Sequence, residues 1–295
     1  MSTKEIVLIT GGNRGIGYGV ARKLSREYSN FHVIIGSRDA NQGREAVSSL
    51  LAEEGLSGSS ISSVELDVTS DESISAAKKT IEEQHGRLDV LINNAGIALD
   101  VKEKGKLPLR TIMQRTYDVN VIGAALVTEI FVPLLEKSAN PRIVFVSSEI
   151  GSLTSAADPS TPWFKDPFLA YKSSKSSLNM VMLWYNALLA EKGFKVNAAC
   201  PGYVATNLNS FHGTGTVEDG AVNIVRLAVL GKDGETGTFS AKEAVSRRLI
   251  DISNLAVPFN SSKSLCRCRP MTGMPHFTIH SILIAFVDII LSEGS

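Results

Sequence analysis

Cysteine is scarce in this chain. The 295 residues include three, at Cys200, Cys266 and Cys268, and so odd and widely spaced a set makes no disulfide framework. Cys266-Arg267-Cys268 has no further Cys or His cluster beside it, and structural zinc wants four ligands, so no metal site is expected. An excess of charge of one sign is also missing. Lys plus Arg and Asp plus Glu each number 30, giving a formal net charge of zero, so no global field gathers nucleic acid or an anionic membrane. The opening MSTKEIVLIT holds too short an apolar run for a signal peptide and reads as a first strand. A reduced, cytoplasmic setting is therefore expected. Charged residues make up 20% and apolar residues 43%, which argues for a full core and against disorder. The length suits one large α/β domain rather than two.

What is present is an alternation of strand and helix patterns. Short apolar runs at Ile6–Thr10, Phe31–Gly36, Val64–Val68, Leu88–Ile92, Ile143–Ser147, Val196–Ala199 and Thr236–Ser240 read as strands. Helical patterns lie between them, among them Tyr18–Tyr28, Asn41–Glu54, a segment capped by Ser70 or Asp71 and running to His85, one long helix over Leu109–Glu136, Ala170–Lys192 and Val217–Leu230. This order predicts an α/β fold: a single doubly wound, Rossmann-type parallel sheet of about seven strands with helices on both faces. Ligands bind such sheets outside the carboxyl ends of the strands. The motifs of interest sit there or on the helix that follows.

Thr10-Gly11-Gly12-Asn13-Arg14-Gly15-Ile16-Gly17 joins the first strand to the first helix. Glycine allows a tight turn and a close approach of backbone to a pyrophosphate, and a helix start offers free N–H groups and a partial positive charge. The second strand ends Gly36-Ser37-Arg38, with no carboxylate where a ribose hydroxyl would be bound; Asp39 comes one place later. A guanidinium there can hold a 2′-phosphate, with Arg14 and Ser37 as further partners. Asp67-Val68 closes the third strand and Asn93-Asn94-Ala95-Gly96 the fourth. Tyr171 and Lys175 are four apart on a predicted helix and share a face. A neighbouring ammonium is expected to lower the phenol's pKa from about 10 and fit it to donate a proton. Ser148 opens a Ser-x-x-Gly pattern at the end of the fifth strand, with Ser147 as the adjacent alternative, and could steady a developing oxyanion.

Together, TGxxxGxG, NNAG and Ser…YxxxK resemble the short-chain dehydrogenase/reductase family, over about residues 4 to 241. The resemblance implies an oxidoreductase that uses NADP(H) to reduce a ketone, aldehyde or quinone carbonyl, with Tyr171 as proton donor. It implies that Lys175 lowers the tyrosine pKa and binds the nicotinamide ribose, that Ser148 orients the carbonyl, and that Asn120 in Asp118-Val119-Asn120 supports a proton relay through water. Cofactor contacts carried over are Gly11, Arg14, Gly15, Ile16 and Gly17; Ser37 and Arg38; Asp67 and Val68; Asn94, Ala95 and Gly96; and, in Pro201-Gly202-Tyr203-Val204-Ala205-Thr206, Pro201, Gly202, Val204 and Thr206. A basic residue at the places of Arg14 and Arg38 goes with NADP in that family. The stretch between Ser148 and Tyr171 is longer than in many members and resembles the insertion of the carbonyl-reductase subgroup. Its Trp163, Phe164 and Phe168 are expected to wall the substrate site and to hinder dimer packing on that side. Residues 206–220 form a Gly-rich lid candidate. Two alternatives stay open: a catalytically silent NADP(H) sensor of the same fold, and an NAD-linked alcohol dehydrogenase.

Residues 242–295 match no feature of the family and are expected to form an atypical C-terminal extension beyond a 1–241 domain. The apolar run 277–291 is too short to span a bilayer and carries His280 and Asp288. It reads as a packing or oligomer-forming helix, a poorly ordered extension, or a membrane-associating tail. A translated non-coding stretch is a further reading. The expected partner is a small carbonyl compound, with no nucleic acid and with the oligomeric state open.

Overall fold

The computed structural model describes residues 4–56, 60–103, 105–161, 164–165, 167–241 and 244–247. Strands β1 (Glu5–Thr10), β2 (Phe31–Ser37), β3 (Ile61–Glu65), β4 (Val90–Asn93), β5 (Arg142–Val146), β6 (Lys195–Ala199) and β7 (Phe239–Ala241) pair in parallel. An eighth strand, β8 (Ala244–Arg247), adds antiparallel to β7, so the sheet runs on past residue 241. The order is β3-β2-β1-β4-β5-β6-β7-β8. Strand order reverses between β1 and β4, and a crevice opens at such a switch point.

The strands are parallel because helices carry the chain back across both faces. On one face lie α1 (Gly15–Glu27), α2 (Ala40–Leu51) and α9 (Val217–Ala228); Val20, Leu24, Leu50, Ile224 and Leu227 pack there on Val7, Ile9, Val33 and Ile35. The other face is covered by α3 (Asp71–His85), α6 (Ala124–Leu135) and α8 (Leu169–Leu189), through Ile74, Phe131, Leu134, Leu178 and Met182 on Leu8, Ile34, Leu91 and Phe145. Burial on both sides is why these strands read as unbroken apolar runs. Two short helices, α4 (Leu99–Lys102) and α7 (Leu153–Ala157), sit at the sheet's carboxyl edge.

The long helix expected over 109–136 is interrupted. It consists of α5 (Leu109–Tyr117), a π-helical turn at Asp118–Gly123, and α6. A π turn carries one residue more than an α turn and is frequent at functional sites. Among the described residues, 109–135 is the one helical run long and apolar enough to cross a membrane by length and composition. Its apolarity is used in the core, where Val127, Phe131, Leu134 and Leu135 are fully enclosed. The third strand ends at Glu65 rather than Val68. Leu66 and Val68, although buried, belong to the loop beyond it. The apolar segment 277–291 lies outside the described residues.

Candidate active site

A cleft of about 630 Å³ opens along the carboxyl ends of β1, β2, β4, β5 and β6. Its floor is the turn after β1. Gly11 and Gly15 have φ of +60° and +55°, a backbone conformation that only glycine adopts without strain. The residue before α1, Arg14, is extended and caps nothing with its side chain. The first N–H groups of α1 therefore lack a side-chain acceptor and face the cleft, where an anion can bind them. Gly11, Arg14, Gly15 and Ile16 line the cleft, as the sequence implied. Gly17 does not; a Cβ there would come 2.4 Å from Asn94 Nδ2 and 2.6 Å from the Gly11 carbonyl oxygen, so its role is to let the turn fold onto its neighbour.

That neighbour is the NNAG turn after β4. Asn94 Nδ2 donates to the carbonyls of Thr10 (2.9 Å) and Gly11 (3.0 Å), while Thr10 Oγ1 accepts from the backbone N–H groups of Asn94 (2.9 Å) and Ala95 (3.0 Å). The two turns flanking the switch point are thus fastened together. Asn94, Ala95 and Gly96 line the cleft, as do Asp67 and Val68 beyond β3. Asp67 Oδ1 accepts from the backbone N–H and hydroxyl of Thr69, at 2.9 and 2.7 Å.

Beyond β2 the arrangement bears directly on cofactor choice. Ser37 and Arg38 line the cleft. Arg14 and Arg38 are exposed, and neither side chain has a hydrogen-bond or ion-pair partner among the described residues. The Asp39 carboxylate is committed elsewhere: Oδ1 caps α2, accepting from Asn41 N (2.8 Å) and Gln42 N (3.1 Å).

The catalytic candidates gather on α8. Tyr171 and Lys175 both line the cleft, and Lys175 Nζ lies 5.5 Å from the Tyr171 ring centroid. The ammonium donates to the carbonyl of Val146 at 2.8 Å. Burial lowers the Lys175 pKa to about 8. Burial also raises the Tyr171 phenol above its ordinary value, with Cys200 adding to the rise. This corrects one expectation: among the chain's own groups, desolvation outweighs any lowering by the lysine, and the phenol is held protonated.

Asn120 lies in the π turn, 1% exposed. Its Oδ1 accepts from Ile97 N (2.8 Å), and its Nδ2 donates to the Ile97 carbonyl (2.9 Å) and to Ser174 Oγ (3.0 Å). The side chain thus clamps the NNAG turn to α8 and does not itself line the cleft. A Cβ at Gly96 would be 3.5 Å from Asn120 Oδ1 and 3.6 Å from Lys175 Nζ, so this amide and the ammonium flank the same small residue. The two serines also separate. The Ser147 hydroxyl is buried and donates to Asn179 Oδ1 at 2.6 Å, whereas that of Ser148 has no partner among the described residues. Ser147 lines the cleft, and Ser148, the serine expected to act there, is not among its lining residues.

After β6, Pro201 and Thr206 line the cleft. Gly202, with φ +79°, and Val204, 4% exposed, shape the turn from behind. Asn209 holds that turn, accepting from Thr206 N at 3.1 Å and donating to the Val204 carbonyl at 2.9 Å. The lid candidate supplies Asn207, Leu208, Phe211 and Val217 to the wall. The 149–168 insertion supplies none, so the expected aromatic wall is absent among its described residues; Phe164 is 41% exposed and Trp163 lies outside them. The sequence singled out neither Gln42, Leu66, Thr69, Ala98 and Leu99, which lie outside the motifs, nor Asn13 and Val119, which lie within them, yet all line the cleft. They reach it by following the motif residues in space, with Asn13 Nδ2 donating to Gln42 Oε1 at 3.0 Å.

A glycine-floored cleft at the switch point of a parallel sheet, with Tyr and Lys one helical turn apart on its wall, has the shape and position of a dinucleotide site. The sequence profile described as "short chain dehydrogenase" matches residues 5–215, and the chain belongs to that family of oxidoreductases. Short-chain dehydrogenase/reductase ATR10 of Stachybotrys chlorohalonatus is 42% identical over 83% of this chain and 90% of its own length. A (+)-neomenthol dehydrogenase of Arabidopsis thaliana is 33% identical over 83% and 98%. The NADPH-bound carbonyl reductase from chicken fatty liver superposes with a TM-score of 0.71 at 28% identity, over 83% of this chain and 98% of that one.

Proposed function

We propose that this protein reduces the carbonyl of a ketone, aldehyde or quinone to an alcohol with NADPH. The observation that carries the proposal is the convergence of Tyr171 and Lys175 on the glycine-floored cleft. The cleft fits a dinucleotide: the uncapped start of α1 suits the pyrophosphate, and Gly11 and Gly15 leave room for it. The side chains of Arg14 and Arg38, both unpartnered among the described residues, suit a 2′-phosphate, while Asp39 caps α2 through its Oδ1 and pairs with neither guanidinium. When bound, the nicotinamide supplies the hydride.

The chain's own residues handle position and proton. The Thr206 hydroxyl, on the cleft wall, and the backbone at Val204 would hold the carboxamide end. Lys175, with a pKa of about 8, stays mostly charged at neutral pH and places its cation beside the phenol and the ribose position. Tyr171 is held protonated by burial, the state a donor needs, and its Oη passes a proton to the developing alkoxide. Ser148, whose hydroxyl has no partner among the described residues, would have to turn that hydroxyl into the cleft to meet the carbonyl oxygen. Leu208, Phe211, Ala98 and Leu99 make the substrate end apolar, in keeping with a relative named for neomenthol.

The test is Tyr171→Phe, assayed by NADPH absorbance over a panel of alicyclic ketones, aromatic aldehydes and quinones. Turnover falls by about 10²-fold or more, as expected for loss of a general acid, while NADPH still binds. Near-normal turnover in that variant refutes the assignment.

A further inference from the structure

The helix that bears Tyr171 begins without a cap of its own. Phe168 precedes α8 and offers no side-chain acceptor to the first turn. Within that turn, Ala170 N donates to Asp100 Oδ1 at 3.2 Å and Tyr171 N donates to Asp100 Oδ2 at 2.7 Å. The carboxylate comes from α4, about seventy positions earlier in the chain, and is 8% exposed. No ion pair to a cation is found for it among the described residues. Its charge is met by the N–H groups and positive end of α8, where an acidic group is stabilised. The second of these bonds is made by the backbone of the proposed proton donor itself.

The surroundings make this more than an ordinary cap. Asp100 follows Ala98 and Leu99, which form part of the cleft wall, and they follow Ile97, which Asn120 holds from both its N–H and its carbonyl. Asn120 in turn reaches Ser174 on α8. Two ties therefore fasten the segment 97–100 to the catalytic helix, one through Ser174 and one through Tyr171 N. They close a ring that includes the cleft wall. The phenol's distance from a carbonyl lying against Ala98 and Leu99 depends on that ring.

We propose that Asp100 is a positioning residue for the reaction, fixing the Tyr171 phenol relative to the substrate wall by gripping the first turn of α8. The inference rests on the reading of Tyr171 as proton donor. A misplacement near 1 Å of an otherwise intact group can cost about 10²-fold in rate. Asp100→Ala therefore lowers kcat by about tenfold to a hundredfold, on the carbonyl the unaltered protein reduces fastest, and changes NADPH affinity by less than about threefold. Asp100→Asn keeps one acceptor oxygen and recovers most of the lost kcat. Amide hydrogen exchange read by NMR supplies a signature independent of turnover: in Asp100→Ala the Tyr171 amide exchanges at least about tenfold faster, while Leu178 and Met182 further along α8 stay protected.

Three results overturn the proposal: a kcat in Asp100→Ala within about twofold of the unaltered protein, a loss of NADPH affinity in step with kcat, or exchange rising along the whole of α8. Tyr171→Phe run beside it keeps the two readings apart. If that variant still turns over, the proton-donor assignment falls; if it is dead while Asp100→Ala is normal, only the role of Asp100 falls.

Discussion

Replacing Arg38 with Ala removes one of two guanidinium groups at the mouth of the cleft and leaves the fold untouched, because the side chain is exposed and makes no bond within the described protein. The loss falls on any 2′-phosphate held there. A hydrogen bond to a charged group contributes about 1.5–3 kcal/mol, and the exposure of Arg38 places it at the low end. About 1.5 kcal/mol corresponds to roughly a tenfold weaker Kd for NADPH. NADH has no phosphate at that position, so its Kd changes by less than about twofold, and the preference between cofactors narrows by nearly the whole factor. Asp39 Oδ1 stays engaged with the first N–H groups of α2 in this variant. Fluorescence titration with each cofactor, at low and at moderate salt, measures both constants. The Arg38 contribution shrinks in salt because the site is open to solvent. If NADH and NADPH weaken together, or neither changes, Arg38 does not read the phosphate and the assignment of NADP loses its main physical support.

Two further outcomes follow from packing and charge. Gly17→Ala drives a methyl group against Asn94 Nδ2 and the Gly11 carbonyl; overpacking of this kind costs about 1–3 kcal/mol, so thermal melting shifts down and NADPH binds more weakly, and a variant unchanged in both would show that the two turns are not fastened as described. His32 hydrogen-bonds at both ring nitrogens, with Ser60 (2.6 Å) and Ser62 (2.8 Å), and its ring lies 4.7 Å from that of His85 between centroids, tilted by 47°. Burial first, then the charges of His85 and Lys4, lower its pKa from 6.5 to about 4. A depressed base stabilises the fold fully above its unfolded pKa, so that contribution is lost as pH falls from about 6.5 toward 4, on the order of 2 kcal/mol after allowance for partial exposure. Urea unfolding followed across that range is expected to be less steep in His32→Gln, and equal slopes would remove His32 from the account.

Much of the fold was legible because parallel strands buried on both faces leave unbroken apolar runs, and because Gly, Asn and Pro punctuate their ends. Ser70 and Asp71 were the two candidates for the cap of α3, and Ser70 fills that place, since a capping hydroxyl is a local signal. Boundaries failed where burial and strand pairing part company. Leu66 and Val68 are apolar and buried but lie in a loop, while Ser62 and Ser63 belong to the strand. The motif residues of the candidate site were equally legible, being bound to short sequence spacings, and most of them meet at one cleft. The contacts that hold them were not. Asp100 to Tyr171, Asn120 to Ile97 and Ser147 to Asn179 each join distant parts of the chain, and nothing in the local sequence couples them. The state of Tyr171 also escaped the sequence, because spacing reveals a neighbouring cation but not how far a phenol is withdrawn from water.

The π turn at Asp118–Gly123 has a consequence for how this protein can vary. An α-helix advances about 100° per residue, so the extra residue in that turn sets the rotation of everything upstream of it against everything downstream. Deleting one residue there would mend the backbone ladder and at the same time swing Asn120 away from Ile97 and Ser174. The apolar faces of α5 and α6 would fall out of phase with each other. Exposed loops away from the cleft tolerate changes of length; this stretch of helix has a fixed residue count.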